Sequence, residues 1–574
     1  MATIGVLPAP SATSSASSRK RAGWPRALGT LACDIRALLA MSTMLILGTL
    51  VWCVTQTPNR ILAYADVPTH LNLARRLHDD LHPGLGQLGD YWLPLAHVIE
   101  LPFVWNDTLW HDGLAGAIPA MGCYLLSVWC IYQLLILATG QRVPAMIAGI
   151  AFAANPNVLY LDVLPMFEPA IMASMLLATY LLARWLQGGG YAALVAAAAA
   201  VCVATTSRYE MWGFALASAM VVAVAFWQRG DRGPRLRGHV LFYVLLAWYG
   251  MALWLLWNLS LSGDALYFLH PSFNKGLSQD RLAPLTKKQL LHATAYVFYA
   301  VADNAGPLLI GVGALGLWRA IASLGGAARG LWLYLLAAPV AFDVFYLYWK
   351  GTPPILVPQL FPYTSGNVRY GVVAVPLVCV LVGLLARRPD KAVPKLGWQR
   401  AERQLAAAWP YVRFLWPAVQ AAVLIAVVAQ PLLLVQRNFV VSYDEAETKA
   451  YVADQQLRVD LGHWLGVNYD GGYILMSTFK GADRIILESG LPDSDFIHDG
   501  SQNTWKCALR VPQRWVRWIV LYKGGDGAAA LLTSRAVYGG EFFSRITNAP
   551  ASSSYFVFRR NATPWHPPSA GQCE

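Results

Sequence analysis

Charged side chains are scarce in this chain. Asp, Glu, Lys and Arg make up 13% of its 574 residues, whereas 56% are hydrophobic and the mean hydropathy is +0.42. A soluble enzyme or a disordered scaffold needs more charge on its surface. Apolar runs of about 18 or more residues recur, and these are too long for the alternating strands of an outer-membrane barrel. The sequence therefore predicts a polytopic α-helical membrane protein.

Cysteine motifs and internal repeats are also lacking. The eight cysteines are scattered and none shows the spacing of a zinc or redox site. Cys507 and Cys573 both fall near the C-terminus, where a disulfide and two free thiols fit the sequence about equally well.

The excess of positive charge is confined to one part of the chain. There are 44 Lys and Arg against 32 Asp and Glu, but from Arg437 onward the counts are 14 and 14. The whole excess of 12 therefore lies among the apolar runs, where basic residues mark cytoplasmic loops, and it does not indicate nucleic acid. One set of alternate loops carries 20 basic residues and the other 10. This asymmetry predicts a multi-pass protein of the cell inner membrane with a cytoplasmic N-terminus and an extracytoplasmic C-terminal region.

Composition divides the chain into three parts. Residues 1–36 are Ser-rich and basic and are expected to form a disordered cytoplasmic tail. Residues 37–437 contain about 11 apolar segments, of which 143–154 and 191–205 are short and 290–317 is interrupted near Pro307. Residues 438–574 have an ordinary soluble composition with four strand-like runs, YILMST, RIILES, WVRWIVLY and YFVFRR. They predict a small C-terminal α/β extracytoplasmic domain.

The first outer loop, residues 58–109, opens with an amphipathic pattern. Apolar residues recur from Val67 to Leu81, which predicts a helix on the outer membrane interface. Asp66 stands at its N-cap and His70 follows four residues later, so both side chains can face one side. Capping alone explains an Asp at this position, and a functional role is an equal alternative. His97, later in the loop, is expected to be a solvated interface residue.

Other ionisable residues fall at the same outer depth, at the ends of different spans. Glu168 opens the fourth span, Arg208 and Glu210 mark the turn between the fifth and sixth, and Arg369 precedes the tenth. An ion pair such as Glu168 with Arg208 is an ordinary interfacial feature. Because the groups come from several helices at one depth, they also predict an assembled site.

Four strings carry a resemblance to a known family: DVPTHLNLARR, PGLGQLGDYWLPLAH, SRYEMW and NVRYG. With an acidic first outer loop and a C-terminal outer domain, they resemble the GT-C membrane glycosyltransferases, which include protein mannosyltransferases and aminoarabinose lipid A transferases. The resemblance covers roughly residues 37–435. It implies a GT-C-like transmembrane bundle whose donor is a polyprenyl-phosphate-linked sugar and whose acceptor is a hydroxyl of a glycan, lipid or protein.

The resemblance also implies roles for individual residues. Asp66 corresponds to the first-loop acid that members use as general base, with His70 and Glu168 beside it. Many members carry a second acid next to the first, whereas Val67 and Pro68 follow here. A divalent metal ion held by Asp66, His70 and Glu168 therefore remains an alternative. The expected substrate-binding residues are Arg208, Tyr209, Glu210, Arg369, Tyr370, Arg75 and Trp92.

Two other classes compete with a transferase. A lipid or sugar transporter or flippase places charged groups near the bilayer midplane, and Asp303 and Asp343 are the acidic candidates within spans. A membrane scaffold that presents the C-terminal domain needs no polar cluster at helix ends. A transferase requires Asp66, Glu168 and the two arginines to line one cavity.

Overall fold

The protein is described from a computed structural model. The residues that the structure describes are 24–56, 59–64, 66–89, 91–269, 285–324, 330–351, 355–360, 366–389, 399–436, 449–478, 482–523, 537, 540, 542–550 and 554–561. Most of the predicted N-terminal tail lies outside them. The first helix begins at Trp24, so residues 24–36 are helical and not part of a disordered tail as predicted.

Helices cover all eleven predicted apolar segments. In chain order they are α1 Trp24–Thr55, α5 Leu114–Thr139, α6 Arg142–Ala153, α8 Phe167–Leu186, α9 Tyr191–Thr205, α10 Glu210–Gln228, α11 Gly233–Ala247 with α12 Tyr249–Ser262, α13 Leu290–Ala305 with α14 Pro307–Leu324, α15 Trp332–Leu335 with α16 Ala338–Lys350, α17 Val375–Ala386 and α18 Gln399–Gln436.

Length and composition decide which helices can cross a membrane. Among the described residues, seven helices are long and apolar enough, and nine if each of two bent helix pairs counts as one span. The bend between α13 and α14 is 109°, which confirms the interruption predicted near Pro307. Helices α6 and α9 have 12 and 15 residues, too few to cross a bilayer core unaided. The chain is a multi-pass membrane protein, and eleven spans remain a prediction.

The centre of the bundle is formed by α8 and its neighbours. Of an 18-residue window of α8, 78% is buried, and the helix packs against α5 and α9. Helix α9 consists mostly of Ala and Val, and small residues let two helix backbones approach closely. This packing holds the first turn of α8, which carries Glu168, at a fixed place.

The first outer loop forms a packed outer layer of three short helices, α2 Asp66–Arg75, α3 Leu95–Val104 and α4 Asp107–His111. A further short helix, α7 Pro156–Leu161, follows α6. Helix α2 is enclosed by protein on both faces, since Val67, His70, Leu71 and Asn72 are all buried, and its position at the membrane interface remains a prediction. Helix α2 packs against α3 on one side and against the C-terminal domain on the other.

The C-terminal domain is a small α/β unit, as predicted. Its helices are α19 Lys449–Asn468, α20 Asp483–Ser489, α21 Gln502–Arg510 and α22 Pro512–Trp515, and its strands are β1 Ile474–Met476, β2 Phe496–Ile497, β3 Trp518–Tyr522, β4 Phe543–Ile546 and β5 Tyr555–Arg560. The strand order is β2-β1-β3-β5-β4. Strand β1 runs parallel to β2 and β3, and β5 is antiparallel to β3 and β4.

One of the four predicted strands is a helix. RIILES forms α20, which ends at Gly490 in the left-handed conformation that favours glycine. Its run Ile485–Leu487 is buried, and a short buried apolar run has the same pattern in a helix as in a strand. Cys507 in α21 is disulfide-bonded. The predicted partner, Cys573, lies outside the described residues.

Candidate active site

The N-termini of three helices lie next to one another, and each helix has an acidic residue in its first turn. Asp66 begins α2, Glu168 is the second residue of α8, and Glu210 begins α10. Helix N-termini carry a partial positive charge, so acidic groups are favourable there, as is any bound anion. Asp66 is the first helical residue rather than the N-cap, and its carboxylate bonds to an arginine of another segment.

These helix ends surround a cavity of about 110 Å³. It is lined by Asp66, His70, Tyr91, Trp92, Leu93, Phe167, Glu168, Ser207, Arg208, Tyr209, Glu210, Phe268, Phe342, Asp343, Tyr346, Arg369 and Tyr370. Nine of the ten predicted site residues are therefore together. No described residue after Tyr370 lines the cavity, so the C-terminal domain contributes none of its described side chains to the wall.

Acidic and basic groups alternate along the wall. Arg369 Nη2 donates to Asp66 Oδ2, and Arg369 Nε lies 3.8 Å from Glu168 Oε1. The same Glu168 oxygen accepts a hydrogen bond from Arg208 Nη1 at 3.1 Å. Arg208 also donates from Nε and Nη2 to the two carboxylate oxygens of Glu210. The result is one continuous row of charges, Asp66–Arg369–Glu168–Arg208–Glu210.

The two arginines differ in how many of their nitrogens are bonded to carboxylates. Arg208 uses Nε, Nη1 and Nη2 on carboxylates, and its guanidinium lies 4.0 Å from the centre of the Tyr370 ring. Arg369 directs only Nη2 at a carboxylate within hydrogen-bond distance, and Nη1 makes a 3.7 Å contact with Met166 Sδ. A guanidinium has five N–H donors. Arg369 is therefore the better placed of the two to bind an added anion.

Arg369 is held by the backbone of the NVRYG segment. Residues Val368–Ala374 form a 3₁₀-helix that leads into α17. A Cβ on Gly371 would lie 2.3 Å from the carbonyl of Ala300 in α13. Only glycine permits this backbone contact, which fixes Arg369 against the bundle.

His70 lies beside a second histidine, His97, which was not predicted from the sequence to belong to the site. His70 Nδ1 lies 3.2 Å from His97 Nε2, and the Trp92 ring packs edge-on against His70 with centroids 4.8 Å apart. Burial, aided by the charge of Arg369, lowers the pKa of His70 to about 3. His70 is therefore neutral at physiological pH. The prediction that His97 is solvated was wrong, because its side chain is fully buried.

Glu100, one helical turn after His97, is another buried acid of the first outer loop. Its side chain is 2% exposed, and its Oε2 has no hydrogen-bond partner among the described residues. Burial raises the pKa of Glu100 from 4.5 to about 8. The folded protein therefore keeps Glu100 protonated at neutral pH.

Glu100→Gln is expected to change how stability depends on pH. Because the folded-state pKa is raised, the contribution of Glu100 is fully present below pH 4.5 and is lost as the pH rises through about 8. The midpoint temperature of thermal unfolding of the wild type should thus fall relative to that of Glu100→Gln as the pH rises from 5 to 9. Thermal unfolding in detergent, followed by tryptophan fluorescence, measures this difference. A constant difference across the range would contradict the buried neutral acid.

Arg75, which was predicted to bind substrate with the other site residues, does not line this cavity. It donates to Asp79 Oδ2 at 2.8 Å and to Asp107 Oδ1 at 2.6 Å, and its guanidinium lies 4.6 Å from the centre of the Trp110 ring. It comes nine residues after Asp66 in α2, about 13 Å along the helix axis at 1.5 Å per residue.

Asp66, His70 and Glu168, predicted as alternative metal ligands, are not grouped with the spacing of metal ligands. Asp66 and Glu168 are paired with arginines, and His70 Nδ1 faces His97. Among the described residues, one group has the spacing of metal ligands, namely Asp80, Asp493 and His498.

The bonds of that group do not fit a metal ion. Gly500 N–H donates to His498 Nδ1, which leaves the proton on Nε2, and Nε2 lies 2.9 Å from Asp80 Oδ2. Asp493 Oδ2 accepts from Arg76 Nε at 2.7 Å. These contacts form a hydrogen-bonded link between the first outer loop and the C-terminal domain.

The two acids that the transporter alternative requires lie in different surroundings. Asp343 lines the same cavity, beside Glu210. Asp303 accepts from Gln359 Nε2 at 2.7 Å and is not among the described residues that line the cavity. Asp66, Glu168, Arg208 and Arg369 meet in one cavity, which is the arrangement that a transferase requires.

Comparison with known proteins shows the fold. No family model and no curated protein matches the sequence. The structure of ArnT from Cupriavidus metallidurans bound to undecaprenyl phosphate matches with a TM-score of 0.52 and 14% identity, over 93% of this chain and 99% of that one. The same protein in the apo state matches with a TM-score of 0.50 and 13% identity, over 87% and 94% of the two chains. A crystal structure of the Archaeoglobus fulgidus oligosaccharyltransferase has a TM-score of 0.47 and 10% identity, over 85% and 69%. The similarity shows that this chain has the fold of ArnT along nearly its whole length.

Proposed function

We propose that this protein is a glycosyltransferase that moves a sugar from a polyprenyl-phosphate carrier to an acceptor hydroxyl. The observation that carries the proposal is the pairing of Asp66 with Arg369 in a cavity where three helix N-termini meet. A candidate base and a candidate phosphate-binding group thus lie side by side. The fold of ArnT, which was solved with undecaprenyl phosphate, supports a lipid phosphate as the carrier.

The reaction assigns a separate task to each group. The acceptor oxygen attacks the anomeric carbon of the sugar while the bond between that carbon and the phosphate oxygen breaks. Asp66 takes the hydroxyl proton, which contributes about 10²–10⁴-fold in rate. The phosphate leaves with the electron pair, and Arg369 and the helix N-termini stabilise its growing negative charge.

The remaining wall residues orient the substrates in this proposal. Arg208 and Glu168 hold Arg369 in place through the shared row of charges. Trp92, Tyr209 and Tyr370 offer ring faces and edges for the sugar. His70 is neutral and therefore lines the cavity as a hydrogen-bonding group rather than as a positive charge.

The proposed location is the outer face of the cell inner membrane. The basic loops place the N-terminus in the cytoplasm, and the disulfide of Cys507 is typical of an oxidising compartment. Nucleotide sugars are absent there, so a lipid-linked sugar is the fitting donor. The transferred group is a hexose or a pentose, and the acceptor is a glycan, a lipid or a protein.

A transfer assay tests the proposal. Purified full-length protein in lipid nanodiscs is mixed with a panel of polyprenyl-phosphate hexoses and pentoses and with lipid, glycan and peptide acceptors. We expect one donor to release polyprenyl phosphate only when a suitable acceptor is present. If no pair reacts and vesicles containing the protein instead move the lipid-linked sugar across the bilayer, the chain is a transporter and the proposal fails.

A further inference from the structure

One carboxylate of the C-terminal domain holds the helix that carries Asp66 and His70. Asp483, at the start of α20, is fully buried. Its Oδ2 accepts from Thr69 Oγ1 at 2.7 Å, and its Oδ1 accepts from Asn72 Nδ2 and from Arg76 Nη2, both at 3.1 Å. All three donors lie on α2 or directly after it.

The three donors occupy one face of α2. At 3.6 residues per turn, Thr69, Asn72 and Arg76 fall within about 60° of one another around the helix axis. Asp66 and His70, four residues apart, lie on a face roughly 110° further round. A single carboxylate that binds the first face therefore fixes the rotation of α2, and the rotation decides whether Asp66 and His70 point into the cavity.

Neighbouring contacts hold the two ends of the same segment. Arg484, next to Asp483, donates from Nη1 to the Leu62 carbonyl at 2.6 Å, just before α2. Arg76 also donates to Asp493, which lies 3.8 Å from His498 Nε2. Breaking a buried ion pair leaves an uncompensated charge, so α2 cannot turn without losing several of these bonds together.

We propose that Asp483 is a positioning residue of the transferase site, which acts by fixing the rotation of α2. This inference rests on the proposed function. It gives the C-terminal domain a defined part in the reaction, although none of its described residues lines the cavity.

Asp483→Asn in the full-length protein tests the inference. The Asn side chain keeps one acceptor oxygen but removes the charge that pairs with Arg76 and the second acceptor used by Thr69. We expect kcat to fall about 10–100-fold and KM for the donor to change less than about 3-fold, because Arg369, the proposed phosphate-binding group, is held by other segments. Thr69→Val removes the hydroxyl that donates to Asp483 and should also lower kcat. In the double variant the two effects should not add, because both remove the same bond.

Asp470→Asn is the matched control. Asp470 pairs with Arg517 and Arg559 within the C-terminal domain. Its loss should leave kcat within about 2-fold of the wild type. An equal fall in kcat for Asp470→Asn would show a general effect of domain stability and would overturn the inference.

Hydrogen exchange of α2 separates this inference from the proposed function. In Asp483→Asn, the amides of α2 should exchange at least about 10-fold faster, while those of β1, β3 and β5 keep their wild-type rates. Unchanged exchange in α2 together with unchanged kcat would overturn the inference. If exchange in Asp483→Asn also accelerates in the strands, the Thr69→Val variant is measured instead, because this substitution leaves the C-terminal domain intact. Unchanged exchange of the α2 amides in Thr69→Val would overturn the inference. If the wild type transfers no sugar at all, the proposed function fails, and Asp483 loses its role in a transferase whatever the exchange rates are.

Discussion

Asp66→Asn is expected to reduce sugar transfer by about 10²–10⁴-fold, the usual contribution of a general base. The amide oxygen of Asn can still accept a hydrogen bond from Arg369, so the row of charges beyond it stays in place. The amide cannot take the proton of the acceptor hydroxyl. Binding of the donor lipid, measured by titration with polyprenyl phosphate, should remain within a few-fold of the wild type.

Asp107→Asn is the control for this substitution. Asp107 belongs to the same outer loop, its side chain is 73% exposed, and it pairs with Arg75 away from the cavity. Its transfer rate should stay within about 2-fold of the wild type, since surface ion pairs contribute little. If Asp66 had only a structural role in its ion pair with Arg369, Asp66→Asn would also transfer at a near-normal rate, because the amide keeps a hydrogen-bond acceptor for Arg369.

Arg369→Lys is expected to reduce donor affinity and transfer by roughly 10-fold, and Arg369→Ala by roughly 100-fold. Hydrogen bonds between charged partners are worth about 1.5–3 kcal/mol, and a planar guanidinium contacts two phosphate oxygens where an ammonium contacts one. Arg208→Lys should reduce donor affinity less, because Arg208 already commits three nitrogens to Glu168 and Glu210. Donor titration and initial rates with the same lipid-linked sugar measure both effects.

Arg184→Lys provides the matched control for the arginine variants. Arg184 is an exposed residue at the opposite end of α8 from Glu168, and its guanidinium lies near the ring of Tyr180. Its substitution should leave both donor affinity and rate unchanged. If Arg184→Lys lost as much donor affinity and activity as Arg369→Lys, the loss would come from a general effect on the helix bundle and not from a phosphate site.

The composition of the sequence and the order of its helices predicted the polar site well. Glu168, Arg208, Glu210 and Arg369 each stand at the end of an apolar segment, and segment ends on the same side of a bundle lie at one depth. That constraint brings them together without any knowledge of contacts. The distribution of donors between Arg208 and Arg369 depends on side-chain positions and could not be predicted in this way.

The outer layer was predicted less well, because its partners are distant in the sequence. The amphipathic pattern of α2 is the same whether its polar face meets water or Asp483, more than 400 residues later. Arg75 and His97 were misplaced for the same reason. Both were interpreted from their own segment, whereas Asp107 and His70 decide where they lie. The run RIILES was misassigned because three buried apolar residues fit a strand and a helix equally well.

A structure of the protein with a bound polyprenyl phosphate tests the proposed site most directly. The phosphate is predicted to lie in the cavity, with Arg369 nitrogens at about 2.7–2.9 Å from two of its oxygens, as in other charge-assisted bonds. The Asp66 carboxylate should then face the side on which the sugar is attached. A phosphate bound away from Arg369 and Asp66, with the cavity wall unchanged, would contradict both the assignment of the base and the proposed transferase site.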